Sequence, residues 1–149
     1  MHKVFVIAGS VLVWASSALA QPAQLPVSPF NAAQVDAGRT AFIQHCMMCH
    51  GDKLQGIGDA QVLVGQIFVD AWGKNSVKDL YTSVRLEMPF DDPASLSDEM
   101  YLNIVAFMLH ANGAKSGTTP LPPDSSVKIG AIVTGDPAPD VAAGLKSAK

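Results

Sequence analysis

Apolar positions recur at helical spacing in three stretches of this chain, with turn-forming residues between them. In the first, Asn31 is a suitable N-cap for a helix through about residue 45, and Val35, Phe42 and Cys46 mark one face. The second starts at Ser76. Leu80, Tyr81 and Val84 share a side from Val77 to about Arg85, and Met88-Pro89 ends the helix, because proline disfavours helical backbone in the residue before it. The third has the clearest signals. Ser97 is a good N-cap, Asp98 and Glu99 complement the positive helix end, and Leu96 before the cap can pack on Tyr101. Ile104, Val105, Phe107, Met108 and Leu109 supply its apolar face, and Asn112-Gly113 is a C-terminal stop. Between these stretches, residues 51–66 carry Gly51, Gly56, Gly58 and Gly65 and read as an irregular loop. Phe68 to Trp72 reads as one short helical turn, and residues 89–96 form a second loop. No alternating run is long enough to build a sheet, so the expected fold is all-α, with three main helices plus short turns.

The two ends read differently. Met1-His2-Lys3 is basic, Val4 to Ala15 is mostly apolar, and Ala18-Leu19-Ala20 fits a small-residue cleavage site. Residues 1–20 are therefore expected to be a signal peptide removed after Ala20, with an uncleaved interfacial anchor as the alternative. The apolar stretch is too short to span a bilayer comfortably and no later one is longer, so the chain is not expected to cross a membrane. Residues 21–30, with Pro22, Pro26 and Pro29, read as an N-terminal arm, and residues 31–115 as the domain. Residues 116–149 are rich in glycine, proline, serine and alanine and read as an irregular C-terminal tail without chemistry. The chain has 13 acidic and 10 basic residues, a balance that argues against a nucleic-acid partner.

Cys46-Met47-Met48-Cys49-His50 changes the picture. It is a C-x-x-C-H, the attachment sequence of a c-type haem, in which two thiols add across the haem vinyl groups and the next residue places an imidazole under the iron. The chain's two cysteines are both in it. Such a haem is attached outside the cytoplasm, so the motif requires an export signal like the one expected at residues 1–20. It also accounts for long glycine-rich loops in so small a domain, because a large buried apolar ring replaces core that the helices alone lack. Two rival chemistries fit less well. A thiol–disulfide oxidoreductase calls for alternating strands and helices, and structural zinc calls for a second ligand pair.

With these residues in hand, the chain resembles a class I cytochrome c over roughly residues 31–117: a first helix ending in the haem motif, a loop, a middle helix, a methionine and a last helix. Met88-Pro89-Phe90, Ser95-Leu96-Ser97-Asp98-Glu99, Tyr101, Ile104-Val105-Ala106-Phe107 and Asn112-Gly113 are similar to the small cytochromes and cytochrome domains that serve periplasmic PQQ-dependent alcohol dehydrogenases. The resemblance implies a small cytochrome c fold around one haem, with Cys46 and Cys49 as covalent attachments and His50 as proximal ligand. Met88, on a loop and followed by Pro89, matches the axial methionine, and Met/His ligation suits a high-potential carrier. A core methionine is the alternative, and His45 or His110 in its place would give a bis-histidine haem. Met100 and Met108 lie on a helix, where a core role fits better. Gly38, Phe42 and Phe107 match positions where the first and last helices cross closely. Trp72 matches a tryptophan that donates to a haem propionate in many relatives, although an indole that simply packs is the competing reading. Arg85 is read either as a propionate partner or as a surface residue.

One position departs from the pattern. Relatives carry a proline whose carbonyl accepts the proximal histidine's N–H, and here Gln61 stands there. Any residue has a carbonyl, so the bond can survive. The function the resemblance implies is a periplasmic one-electron carrier rather than an enzyme, free or as a dehydrogenase subunit. It would take electrons from a periplasmic dehydrogenase and pass them to an oxidase or another cytochrome. The rival reading is a haem enzyme or ligand-binding sensor with a labile sixth ligand.

Overall fold

A computed structural model describes residues 28–146. The expected signal peptide and most of the N-terminal arm lie outside the described residues. Six helices follow in order: α1 (Ala32–His45), α2 (Met47–His50), α3 (Gln66–Trp72), α4 (Val77–Glu87), α5 (Asp98–Ala111) and, after a 3₁₀ turn at Ile129–Ala131, α6 (Pro139–Ala142). No β-strand occurs among the described residues. Extended pairing there is limited to isolated bridges between Asn31 and Gly117 and between Ser76 and Lys128. The fold is the expected all-α one.

The helix starts are built by their caps. The Asn31 side chain accepts from the Gln34 N–H at 2.9 Å, and Gln34 reaches back to the Asn31 N–H, a full capping box. Ser76 and Asp79 repeat the arrangement at α4, and Ser97 caps α5 through the Met100 N–H at 3.2 Å. At its far end α5 stops where Gly113 turns to φ +87°, a backbone region glycine enters without steric cost, and the Ala114 N–H reaches back to the Leu109 carbonyl at 3.1 Å.

The main helix pair is α1 with α5, and α4 packs on α5. Gly38 lies at the crossing. A Cβ there would run into the Asn103 carbonyl oxygen and stand 2.9 Å from Phe107 Cβ. Phe42 and Phe107 meet beside it with ring centroids 5.4 Å apart and planes tilted by 56°, a favourable offset geometry. Both rings are fully buried, as are Tyr101, Ile104 and Leu109 on α5. Met108 is buried beside them and has the expected core role.

Residues 116–146 keep an irregular backbone but are woven into this core. Leu121, Ile129, Ile132, Val133, Val141 and Leu145 are buried. The segment first pairs with the start of α1, where Gly117 N–H donates to Phe30 O at 2.6 Å and Leu121 N–H donates to Gln34 Oε1 at 2.6 Å. It then runs past the start of α4, with Val77 and Lys78 N–H donating to Val127 O and Ser125 O at 3.0 and 2.9 Å. It crosses the end of α3, where Gly130 N–H reaches Gly73 O at 3.0 Å, and returns to α5. At α6, Asp140 pairs with Arg39 of α1 and faces His110 Nε2 at 3.5 Å, while Arg39 lies over the Phe107 ring, 5.1 Å from its centroid. Leu145 N–H finally donates to Asp52 O at 2.8 Å, two residues past the haem motif. Composition alone reads this stretch as a tail because glycine and proline break any periodicity. Its buried side chains are spaced by the path around the helices, not by a helix or strand repeat.

Two outcomes follow. Gly38→Ala forces the α1–α5 crossing apart and lowers unfolding free energy by about 1–3 kcal/mol, the usual cost of overpacking, read by chemical denaturation. Burial opposes the charge on Asp140, but the hydrogen bond and charge of Arg39, with His110, outweigh it and hold the carboxyl below its ordinary range. A depressed folded-state pKa adds stability above the unfolded value of about 4, which is lost as pH falls through the depressed one. Asp140→Asn therefore lowers stability at neutral pH by roughly 1 kcal/mol or less, because the pair is partly exposed, and the difference from the parent closes as pH drops below about 4. Urea unfolding across pH 2–7 checks the sign.

Candidate haem-attachment site

The Cys-x-x-Cys-His run forms one helical turn set at the end of α1. Cys46 N–H still bonds back to Phe42 O at 2.8 Å, and His50 N–H to Cys46 O at 2.9 Å. Gly51 ends the turn at φ +81°. The turn leaves Cys46 half-buried and Cys49 exposed, and it buries His50, which is 8% exposed. The loop after it folds back, with Gly56 N–H on His50 O and Ile57 N–H on Cys49 O, each at 2.9 Å. Leu54 is fully buried beneath that loop, and its carbonyl accepts from Leu63 N–H at 2.8 Å.

This second strand of loop carries the residue that sequence comparison left open. His50 Nδ1 lies 2.9 Å from the Gln61 carbonyl oxygen. A carbonyl only accepts, so Nδ1 carries the proton and Nε2 keeps its lone pair. The bond expected from a proline is thus made by glutamine, because the backbone path and not the side chain places the carbonyl.

Met88 lies where α4 stops, as the C-cap of that helix. Its N–H donates to Val84 O at 3.0 Å, and its carbonyl accepts from the buried Tyr101 hydroxyl at 2.6 Å. Its side chain is half-buried, and its hydrogen bonds tie it to α4 and α5 rather than to the Cys46–His50 turn. Among the other candidates, Trp72 closes α3 and packs half-buried against the core. His45 is exposed, and His110 faces Asp140. Arg85 is engaged on the surface, its Nε 2.6 Å from Asp98 Oδ1. The hydrogen bond and then the charge of Arg85 hold the Asp98 carboxyl below its usual range. Of the remaining methionines, Met47 and Met100 pack half-buried against the core, while Met48 is exposed.

Two supports were not read from the sequence. Tyr101 was assigned to a hydrophobic staple, yet its hydroxyl holds the Met88 carbonyl. Asn112 was assigned to a helix stop, yet its fully buried side chain reaches across to the loop of Gln61. An asparagine before a glycine at a helix end signals only the stop. Its long-range partners, 47 and 49 residues away, leave no local mark.

The family model described as cytochrome c oxidase, cbb3-type, subunit III matches residues 33–108, half of the chain. The chain belongs to this family of class I c-type cytochromes. Membership implies one covalent c-type haem and a role in electron transfer. The chain is also similar to the sulfane dehydrogenase SoxCD from Paracoccus pantotrophus, at 22% identity and a TM-score of 0.44, over 86% of this chain and 71% of that one. Among curated proteins, none matches the cytochrome.

The residues present suit a haem. Two thiols stand three residues apart on one turn, and the adjoining imidazole is buried with its protonated nitrogen already committed. The rival chemistries suit them less well. Burial, then the neighbouring Cys49, pushes the Cys46 thiol up to about 12, the opposite of the depressed pKa that a thiol–disulfide oxidoreductase needs. Among the described residues, no three histidine, cysteine or acidic side chains converge on a metal-sized site, so the zinc reading lacks its ligands.

The Met88 anchor has a measurable consequence. Tyr101→Phe removes the hydroxyl and takes this partner from the part-buried Met88 carbonyl, which lowers stability in the cytochrome by about 1–2 kcal/mol in denaturant titration.

Proposed function

We propose that this cytochrome is a periplasmic one-electron carrier in which Cys46 and Cys49 hold the haem and His50 and Met88 are its axial ligands. The observation that carries the reading is the buried His50, proton on Nδ1 toward Gln61 and lone pair on Nε2, directly after the two cysteines. When bound, the haem supplies reversible one-electron chemistry at iron. The chain's own work is placement. The one-turn helix α2 fixes both thiols and the imidazole relative to one another. The Gln61 carbonyl sets the tautomer and orientation of the ring and makes it a stronger donor. Tyr101 pins the backbone of Met88, so a thioether can be presented without freedom to wander. A methionine held in this way would leave the iron no place for substrate, which favours a carrier over a haem enzyme or sensor.

The partners follow from the resemblance of Met88-Pro89-Phe90 and the α5 region to cytochromes that serve quinoprotein dehydrogenases. A periplasmic dehydrogenase is the donor, and an oxidase or another cytochrome is the acceptor. Export follows from the signal-like residues 1–20. No helix among the described residues is long and apolar enough to cross a membrane. Trp72 packs half-buried against the core, and its indole N–H would be available to donate to a haem propionate.

Expression of the full chain with a haem-maturation system tests the assignment. The purified protein gains one haem in mass and shows a low-spin spectrum with the weak far-red ferric band of methionine ligation. Met88→Ala removes that band and lets the ferrous protein bind carbon monoxide. A band that survives the substitution, or a parent that binds carbon monoxide as readily, sinks the methionine assignment.

A further inference from the structure

We propose that Asn112 is a positioning residue for the proximal histidine, aiming the Gln61 carbonyl at His50 Nδ1 and thereby setting the reduction potential. The inference rests on the reading of His50 as iron ligand. Its basis is the way one buried side chain spans two elements. Asn112 is fully buried at the end of α5. Its carboxamide oxygen accepts from Gly65 N–H at 2.9 Å, and its nitrogen donates to Leu63 O at 3.0 Å and to Met108 O at 2.9 Å. Two of the three bonds therefore grip residues 63 and 65, two and four positions after Gln61, and the third braces the side chain on its own helix. The Asn112 main-chain carbonyl accepts from Thr134 and Gly135 N–H at 3.0 and 3.2 Å, so the C-terminal segment closes over the same point.

The loop needs such a grip. Gly65 is at φ +80°, and the helix it starts, α3, has no side-chain cap. Where relatives stiffen the loop with proline, this chain has Gln61, whose φ is not fixed by a ring. Asn112 supplies from outside the rigidity that the loop lacks within. An Nδ1–H to carbonyl bond enriches the imidazole and favours the ferric ion. Loosening the loop lengthens the bond, weakens the donor and favours the ferrous ion.

The test uses the haem-loaded full chain and compares Asn112→Ala with Asn31→Ala, which removes the α1 cap at the far end of that helix from the motif. Asn112→Ala shifts the redox equilibrium toward the ferrous form by roughly fivefold, an upward shift of about 40 mV at 59 mV per tenfold change. Exchange of the His50 ring N–H with solvent, followed by NMR of the ferrous protein, quickens by about tenfold or more as the loop opens. Asn31→Ala lowers stability but moves neither readout. If Asn112→Ala does not fold, Asn112→Ser decides in the same way, since its shorter side chain can bond within its own turn but cannot reach residues 63 and 65. An unchanged potential, or a changed potential with unchanged ring exchange, overturns the proposal. A parent protein without covalent haem instead overturns the function on which it rests, and the two failures are told apart by mass before any variant is made.

Discussion

The close crossing of α1 over α5 is the constraint on which the rest depends. Helices that approach until a methyl group no longer fits leave no room for adjustment, so the position of one dictates the other. From this crossing α1 runs on to Cys46 at its C-cap, and α5 carries Tyr101 and Phe107 along its length and Asn112 at its C-cap. The haem motif is therefore aimed by a contact made two helical turns before it. Phe42 and Phe107 fill the space beside the glycine, and Phe42 lies 6.5 Å from the His50 ring, so the same packing reaches the imidazole.

A small domain built around a large prosthetic ring has few apolar contacts to spare for its loops. Here the loops are tied from behind. Residues 116–146 lie outside the span matched to the family, which ends at residue 108. They circle the helices, bonding to the starts of α1 and α4, the end of α3 and the end of α5. Each contact satisfies backbone groups at helix or loop ends that would otherwise be open to water. The segment then returns to Asp52, two residues past the histidine turn, where Leu145 N–H donates to its carbonyl.

The site divides into a rigid half and a held half. Cys46, Cys49 and His50 share one helical turn, and their mutual geometry is local. Gln61 and Met88 sit at loop positions and are placed by Asn112 and Tyr101 of α5. Under the proposed ligation, the α5 region would therefore hold both the histidine's partner carbonyl and the methionine's backbone. This division suits electron transfer, in which the atoms around the metal should move little between the two charge states.

Much of this was legible in the residues themselves. Asn31, Ser76 and Ser97 marked helix starts because capping is a contact within four residues, and Asn112-Gly113 marked an end for the same reason. Cys46 and Cys49 were legible as haem attachments because the motif is contiguous in sequence. Gly38 was legible as a crossing point through the resemblance, with which glycine's cost inside a helix agrees. The course of residues 116–146 was not legible, since Leu121, Ile129 and Val141 are buried by neighbours far along the chain and follow no repeat. Nor were the tasks of Tyr101, Asn112 and Arg85, whose partners lie 13 to 49 residues away. Local chemistry, set by covalent neighbours and helical period, was determined by the sequence alone. That the carbonyl of residue 61 could meet His50 was legible through the resemblance; what holds that loop in place was decided only when the helices packed, because the long-range hydrogen bonds of Asn112 depend on chain path rather than on any residue's own preference.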